Sequence, residues 1–271
     1  GGTNYGGIDS SINHSFVISV EYVNDIPSFV LKASDQKPIE TIQNDLGLKL
    51  VDEFAYNISP GDPMEADQVL SFEVTVVQED VYGNTSMFTR RPAISPTGQL
   101  SFQLAENAYG KATVNVTLVD SGGIERGGMN RSIAHSFTID TLFVNQAPFF
   151  DLRDDSFTVF EDQGFVVETG FATNISAGPR HIPDEMKQNV TFTVELMGDG
   201  ASLFETQPKL DEDGTLKFQT ALDKNGRIDL IVHLEDNNGT ELGGVKKSVN
   251  HSLSIHIVSV NDPPTFRVRK R

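Results

Sequence analysis

The stretch Asp120-Ser121-Gly122-Gly123, running on through Gly127-Gly128, His135-Ser136-Phe137-Thr138-Ile139 and Val144-Asn145-Gln146-Ala147-Pro148-Phe149-Phe150, decides how this chain reads, because it is written three times. An earlier copy runs from Gly1-Gly2-Thr3 through His14-Ser15-Phe16 to Val23-Asn24-Asp25-Ile26-Pro27-Ser28-Phe29. A later one runs from Asp236-Asn237-Asn238-Gly239 through His251-Ser252-Leu253 to Val260-Asn261-Asp262-Pro263-Pro264-Thr265-Phe266. Pro27, Pro148 and Pro264 stand 121 and then 116 residues apart. A fixed period means that one structural unit recurs along the chain.

Landmarks between the copies keep step. Phe54-Ala55-Tyr56-Asn57-Ile58-Ser59 matches Phe171-Ala172-Thr173-Asn174-Ile175-Ser176, and Phe88, Pro92, Gly98, Leu100 and Phe102 match Phe204, Pro208, Gly214, Leu216 and Phe218. The expected organisation is the last strand of a preceding repeat (1–25), two full repeats (26–146 and 147–262) and the start of a following one (263–271). A lone strand cannot bury its own apolar face. Residues 1–25 are therefore expected to pair with strands that precede Gly1 or belong to another molecule.

Within a repeat the apolar period is two. Val114, Val116 and Leu118 point one way and Thr113, Asn115 and Thr117 the other; Leu253, Ile255 and Ile257 alternate likewise. That is the pattern of half-buried antiparallel strands. Turn signals such as Pro96-Thr97-Gly98 and Asp213-Gly214 separate them. About seven strands per repeat predicts an all-β chain of Ig-like Greek-key sandwiches arranged end to end.

Composition narrows the function. The 271 residues include no Cys, and 38 acidic against 21 basic side chains give a formal net charge of −17. Disulfide frameworks and thiolate zinc sites are excluded. The surface charge repels nucleic acid and anionic lipid, and no apolar run of about 18 residues exists to enter a bilayer. The N-terminal Gly1-Gly2-Thr3-Asn4 is not a signal peptide. No motif of nucleophilic, zinc-protease or phosphate-loop chemistry occurs. His14, His135 and His251 recur at one position of each copy, which fits a structural role. The chain reads as a non-enzyme.

Nine of its 17 asparagines stand in N-x-S/T: Asn13, Asn57, Asn84, Asn115, Asn130, Asn174, Asn189, Asn238 and Asn250. Chance pairing with the Ser and Thr content gives about 2.6. N-linked glycans are the expected consequence, with passage through a eukaryotic secretory pathway. The recurring Asn57-Ile58-Ser59 and Asn174-Ile175-Ser176 also have a structural explanation as part of the repeat.

The combination D-x-G-G…G-G…H-S-F-x-I followed by V-N-D-x-P-x-F, with F-A-x-N-I-S before it, resembles the cadherin-like tandem repeats of large extracellular surface and adhesion proteins, over essentially the whole chain. The resemblance implies end-to-end rods of Ig-like sandwiches, often with calcium at the inter-repeat joints. Calcium takes six to eight hard oxygen ligands, so several segments must converge. Ahead of the first full repeat the implied ligands are Asn24, Asp25, Asp62 and Asp120, with Glu65 and Asp67 nearby. Beyond the second they are Glu161, Asp162, Asn261 and Asp262. The central linker departs from the pattern at Gln146, and Asn44-Asp45 is read as the counterpart of Glu161-Asp162, so weak or no binding is expected there. Turn capping by the same Asn and Asp side chains is the competing explanation.

The expected function is a structural or adhesive rod or filament module outside the cell. Its expected partners are neighbouring repeats of the same chain, with homotypic lateral or end-to-end association. The alternatives are a carbohydrate- or protein-binding module, or accessory repeats of a large secreted enzyme.

Overall fold

The structure, a computed structural model, describes residues 2–34 and 36–267. These form eighteen strands and six short 3-10 turns, with no α-helix among the described residues. The strands fall into two groups of nine, one following the other in the chain.

The first module contains β1 (Ser28–Leu31), β2 (Ile39–Ile42), β3 (Lys49–Val51), β4 (Ala55–Ser59), β5 (Ser71–Tyr82), β6 (Phe88–Ile94), β7 (Leu100–Leu104), β8 (Tyr109–Val119) and β9 (His135–Leu142). One sheet has the order β2-β9-β8-β5; facing it are β3-β7-β6 and the pair β1-β4. All pairings are antiparallel except β2 with β9. The second module repeats this with β10 (Phe149–Leu152), β11 (Ser156–Phe160), β12 (Phe165–Glu168), β13 (Ala172–Ser176), β14 (Val190–Met197), β15 (Phe204–Leu210), β16 (Leu216–Thr220), β17 (Gly226–Asp236) and β18 (His251–Val258). Its sheets are β11-β18-β17-β14, β12-β16-β15 and β10-β13, with β11 parallel to β18. Two facing sheets with this division of strands are the immunoglobulin-type sandwich.

The period-two pattern is what closes each sandwich. Along β8, Ala112, Val114, Val116 and Leu118 are fully buried while Thr113, Asn115 and Thr117 are half-exposed. The cores match position by position. Phe54, Phe102 and Phe137 are buried in one; Phe171, Phe218 and Leu253 in the other. Phe29 meets Phe72 edge-on at 5.2 Å, and Phe150 meets Phe192 at 4.9 Å. Burying one such ring contributes about 2–3 kcal/mol. The recurring histidines belong to this packing: His135 lies against Phe29 at 4.7 Å and His251 against Phe150 at 4.4 Å.

Asn57 and Asn174 take a left-handed backbone, each with φ 52°. They lie where the β1-β4 and β10-β13 ladders shift register. Asn is among the few residues that tolerate that conformation, which accounts for the recurrence of this tripeptide.

Residues 2–27 make no strand, only a 3-10 turn at Asn4–Gly6, and Phe16 and Val20 are 83% and 90% exposed. Residues 263–267 are likewise extended and exposed; 268–271, the rest of the stretch read as a following repeat, lie outside the described residues.

Candidate functional site: the ends of the modules

The three copies of the linker place Asn24, Asn145 and Asn261 at equivalent positions of the sequence, ahead of, between and beyond the two sandwiches. Ahead of the first module, Asn24 is buried. Its Nδ2 donates to Asp120 Oδ1 (3.1 Å) and to the Met129 carbonyl (2.8 Å), and its Oδ1 accepts from Gln68 Nε2 (2.7 Å). The next backbone N–H, of Asp25, donates to Glu65 Oε1 at 2.8 Å, and the Tyr22 hydroxyl donates to the same carboxylate.

The central linker is held by the same clamp. Asn145 Nδ2 donates to Asp236 Oδ1 (3.2 Å) and the Val245 carbonyl (3.0 Å), its Oδ1 accepts from Gln188 Nε2 (2.9 Å), and the Gln146 N–H donates to Glu185 Oε1 (2.7 Å). Glu65 and Glu185 are buried, at 1% and 0% exposure. Space for them comes from Gly61 and Gly178, where a Cβ would stand 2.3 Å from Glu65 Oε2 and 2.7 Å from the Glu185 carboxyl carbon.

The other side of each joint is the trailing end of the preceding module. At the central joint Gln43 is buried; its Oε1 accepts from the Val144 N–H (3.0 Å) and its Nε2 donates to the Asn107 carbonyl (2.9 Å). Asn44 Oδ1 accepts the Asn107 N–H (2.7 Å), while Asn44 Nδ2 and Gln146 Nε2 both donate to Asn107 Oδ1 (3.3 and 3.0 Å). At the far end of the second module Glu161 Oε1 accepts the Val260 N–H (2.8 Å), and Asp162 Oδ1 accepts the Asp223 N–H (3.0 Å). Asn44 and Asp162 have φ 62° and 59°; Asn107 and Asp223 have 62° and 54°. The counterparts of Glu161-Asp162 are therefore Gln43-Asn44, one position earlier than the sequence comparison placed them.

Four acidic side chains at the far end thus correspond to four amides at the centre: Glu161, Asp162, Asp223 and Asp262 against Gln43, Asn44, Asn107 and Gln146. Carboxylate oxygens of Asp162, Asp223 and Asp262 lie within 4.8 Å of one another, all on exposed residues. Among the described residues this is the one such trio of metal-binding side chains. Exposed hard oxygens on three separate segments are the donor type that calcium or magnesium takes.

The remaining candidate ligands are placed otherwise. Asp62 caps the 3-10 turn Pro63–Glu65, accepting the Met64 N–H at 2.9 Å. Asp120 spends one oxygen on Asn24 and the Gly122 N–H, while its Oδ2 is buried without a partner. The Asn24 amide faces Asp120 as a donor, and Asp25 contributes its backbone N–H. Asn261 is exposed, and its amide reaches only the Asp262 carbonyl, at 3.2 Å. Asp223 was absent from the expected ligand set. The even spacing of Asn107 and Asp223 in the two repeats was the available signal, and it was obscured because neither residue belongs to a recognisable motif.

A further bridge crosses the central joint. Tyr109, buried and stacked on Tyr82 at 5.4 Å, donates its hydroxyl to Asp184 Oδ2 at 2.9 Å. Burial and the neighbouring Asp184 push the Tyr109 hydroxyl's pKa above its ordinary value. Lys187, together with Tyr109, holds Asp184 below the usual carboxylate range. Burial pushes Asp236 up.

The fold thus comprises two immunoglobulin-type sandwiches in tandem, with a matching asparagine clamp at the leading end of each. No protein-family model matches the chain, and no curated protein does. Among solved structures, the chain is similar to modules EC1-2 of human protocadherin-24, with 13% identity over 88% of this chain and 100% of that one and a TM-score of 0.49. It is similar also to mouse protocadherin-24 EC1-3 (15% identity, 88% and 72% covered, TM-score 0.42) and to chicken VE-cadherin EC1-2 (12%, 81% and 96%, TM-score 0.29).

Proposed function

We propose that this chain is a segment of an extracellular structural or adhesive rod, in which each sandwich is fixed to the next by a buried linker asparagine. The observation that carries this reading is the identical clamp around Asn24 and Asn145. A device repeated at successive joints serves the joint, since a ligand pocket needs to be built only once. The segment 1–25, whose equivalents are β9 and β18, belongs in this reading to a preceding sandwich, and 263–271 leads into a following one.

Calcium enters at the far end of the second module. Asp162, Asp223 and Asp262 would hold it, and bound metal would neutralise their mutual repulsion and fix the linker at Asp262 against the module. The remaining ligands of a six- to eight-coordinate ion would come from backbone, water or a following module. The central joint takes no metal in this reading, because its oxygens already accept amide protons.

Glycans would project from the exposed sequons Asn13, Asn57, Asn84, Asn174, Asn189, Asn238 and Asn250, whereas Asn115, midway along β8, and Asn130 are half-buried. Glycopeptide analysis of native material should find sugar on the exposed group.

Small-angle scattering tests the rod. Strands of about ten residues make each sandwich roughly 40 Å long, so two in line give a longest dimension of about 80 Å before the terminal segments are added. A particle of about 50 Å, with the sandwiches folded side by side, would remove the proposal.

A further inference from the structure

We propose that the central joint is proton-linked: Glu185, fully buried where the Gln146 backbone crosses it, makes the two modules dock more tightly in mildly acidic than in alkaline surroundings. This rests on the clamp geometry alone and is independent of calcium and of the rod.

Glu185 sits in the short turn Glu185–Lys187 at the leading end of the second module, with 0% exposure. Its Oε1 accepts the Gln146 N–H and its Oε2 accepts Gln188 Nε2, each at 2.7 Å. The ionisable groups around it are mostly acidic. Asp236 faces it from β17, and Asp184 precedes it in its own turn. Tyr109 comes from the first module and is engaged with Asp184. The cations of the neighbourhood serve others: Lys187 pairs with Asp184 at 2.7 Å, and Lys246 lies near Glu235 at 3.8 Å and acts on Asp236. Among the described residues no cation pairs with Glu185.

A carboxyl so placed holds its proton unusually well. Burial pushes it from 4.5 up to about 7, with Asp236 and Asp184 acting in the same direction, against the hydrogen bonds from Gln146 and Gln188. The amide beside it stays committed: Gln188 Nε2 donates to both Glu185 Oε2 and Asn145 Oδ1.

The sign follows by linkage. Opening the joint lifts the Gln146 backbone away and admits water, which returns the carboxyl toward its ordinary value. The docked joint therefore binds the proton more tightly than the open one. Its advantage is complete below about pH 4.5 and is lost as pH rises through about 7. If opening fully restores the ordinary pKa, docking weakens by up to about 70-fold between pH 5 and pH 8.

The test uses the whole chain with calcium chelated throughout. The carboxyl carbon of Glu185 is titrated by NMR, and hydrogen exchange of the Gln146 amide is followed from pH 5 to 8.5 after correction for intrinsic rates. The expected result is a midpoint near 7, with Gln146 protection falling through the same range in the wild type and flat in Glu185→Gln. A midpoint in the ordinary carboxylate range, or wild-type protection that does not change with pH, overturns the proposal. Should Glu185→Gln fail to fold, as judged by lost amide protection along β17, the wild-type titration and exchange decide alone.

Discussion

At the central joint the trailing end of a module presents Gln43, Asn44, Asn107 and Gln146; at the far end of the next module the same positions carry Glu161, Asp162, Asp223 and Asp262. The backbone does not distinguish them. Both ends use left-handed residues at the same two places, and in both the first of these accepts the N–H of the second. What differs is hydrogen-bonding capacity. An amide both donates and accepts, whereas an ionised carboxylate only accepts. Amides can therefore satisfy one another, as Asn44 and Gln146 do on Asn107. Carboxylates at the same sites cannot donate to one another and repel. One scaffold thus yields a joint that closes by itself and, in the proposed reading, an end that closes on a cation.

The largest expected effect lies in the clamp that the centre has and the far end lacks. Asn145→Ala removes the side-chain donor to buried Asp236, leaving it the Asn238 N–H, and uncaps the carbonyl of Val245, an exposed residue that water reaches. A buried group left under-satisfied costs about 1–3 kcal/mol, so the second module should lose about 2 kcal/mol in denaturant unfolding. Asn261→Ala, at the exposed equivalent, should cost under about 0.5 kcal/mol. Equal losses in the two variants would break the comparison.

Next comes the response to calcium. With affinity of about 1 mM, in the extracellular range, 10 mM calcium should stabilise the second module by about 1.4 kcal/mol. Asp223→Asn should abolish the shift. Installing Asn44→Asp, Asn107→Asp and Gln146→Asp together should destabilise the central joint without calcium and make it calcium-responsive. A calcium response that survives Asp223→Asn would show that the trio is not the site.

Much of this was legible in the sequence, for identifiable reasons. Strand alternation and the fixed offsets of Phe54, Gly98 and Phe102 gave the sandwich, because core packing repeats whenever the module does. The linker asparagines were legible as joint residues but not in their role. Asn24 read as an oxygen donor to a metal, whereas it acts as an N–H donor to Asp120, as Asn145 does to Asp236, a choice made by which end of the amide faces the carboxylate. Buried Glu65 and Glu185 differ in sequence context, since Gly178-Pro179-Arg180-His181-Ile182-Pro183 is longer than its counterpart after Gly61. That insertion shifts the offset and hides the match. The exchange of acid for amide was legible at Gln146, but at Gln43 and Asn44 it was missed because the register there was read one residue late.

The smallest predicted effect isolates the side-chain bridge from Tyr109 of the first sandwich to Asp184 of the second. Tyr109→Phe keeps the ring against Tyr82 and Phe143 and removes only the hydroxyl donated to Asp184. A hydrogen bond to a charged group contributes about 1.5–3 kcal/mol. Asp184, however, is 43% exposed and retains Lys187, so water and the ammonium replace part of what is lost. The coupling should therefore be near 1 kcal/mol. It is read from a double-mutant cycle with Asp184→Asn, using stability of the joined modules as the observable. The far end lacks the pair, since Gly226 follows Asn225 where Gly110 follows Tyr109. Asn225→Ala should accordingly change stability by less than the Tyr109 coupling. A coupling of zero between Tyr109 and Asp184 would mean that the amide cluster and the Asn145 clamp hold the modules together without it.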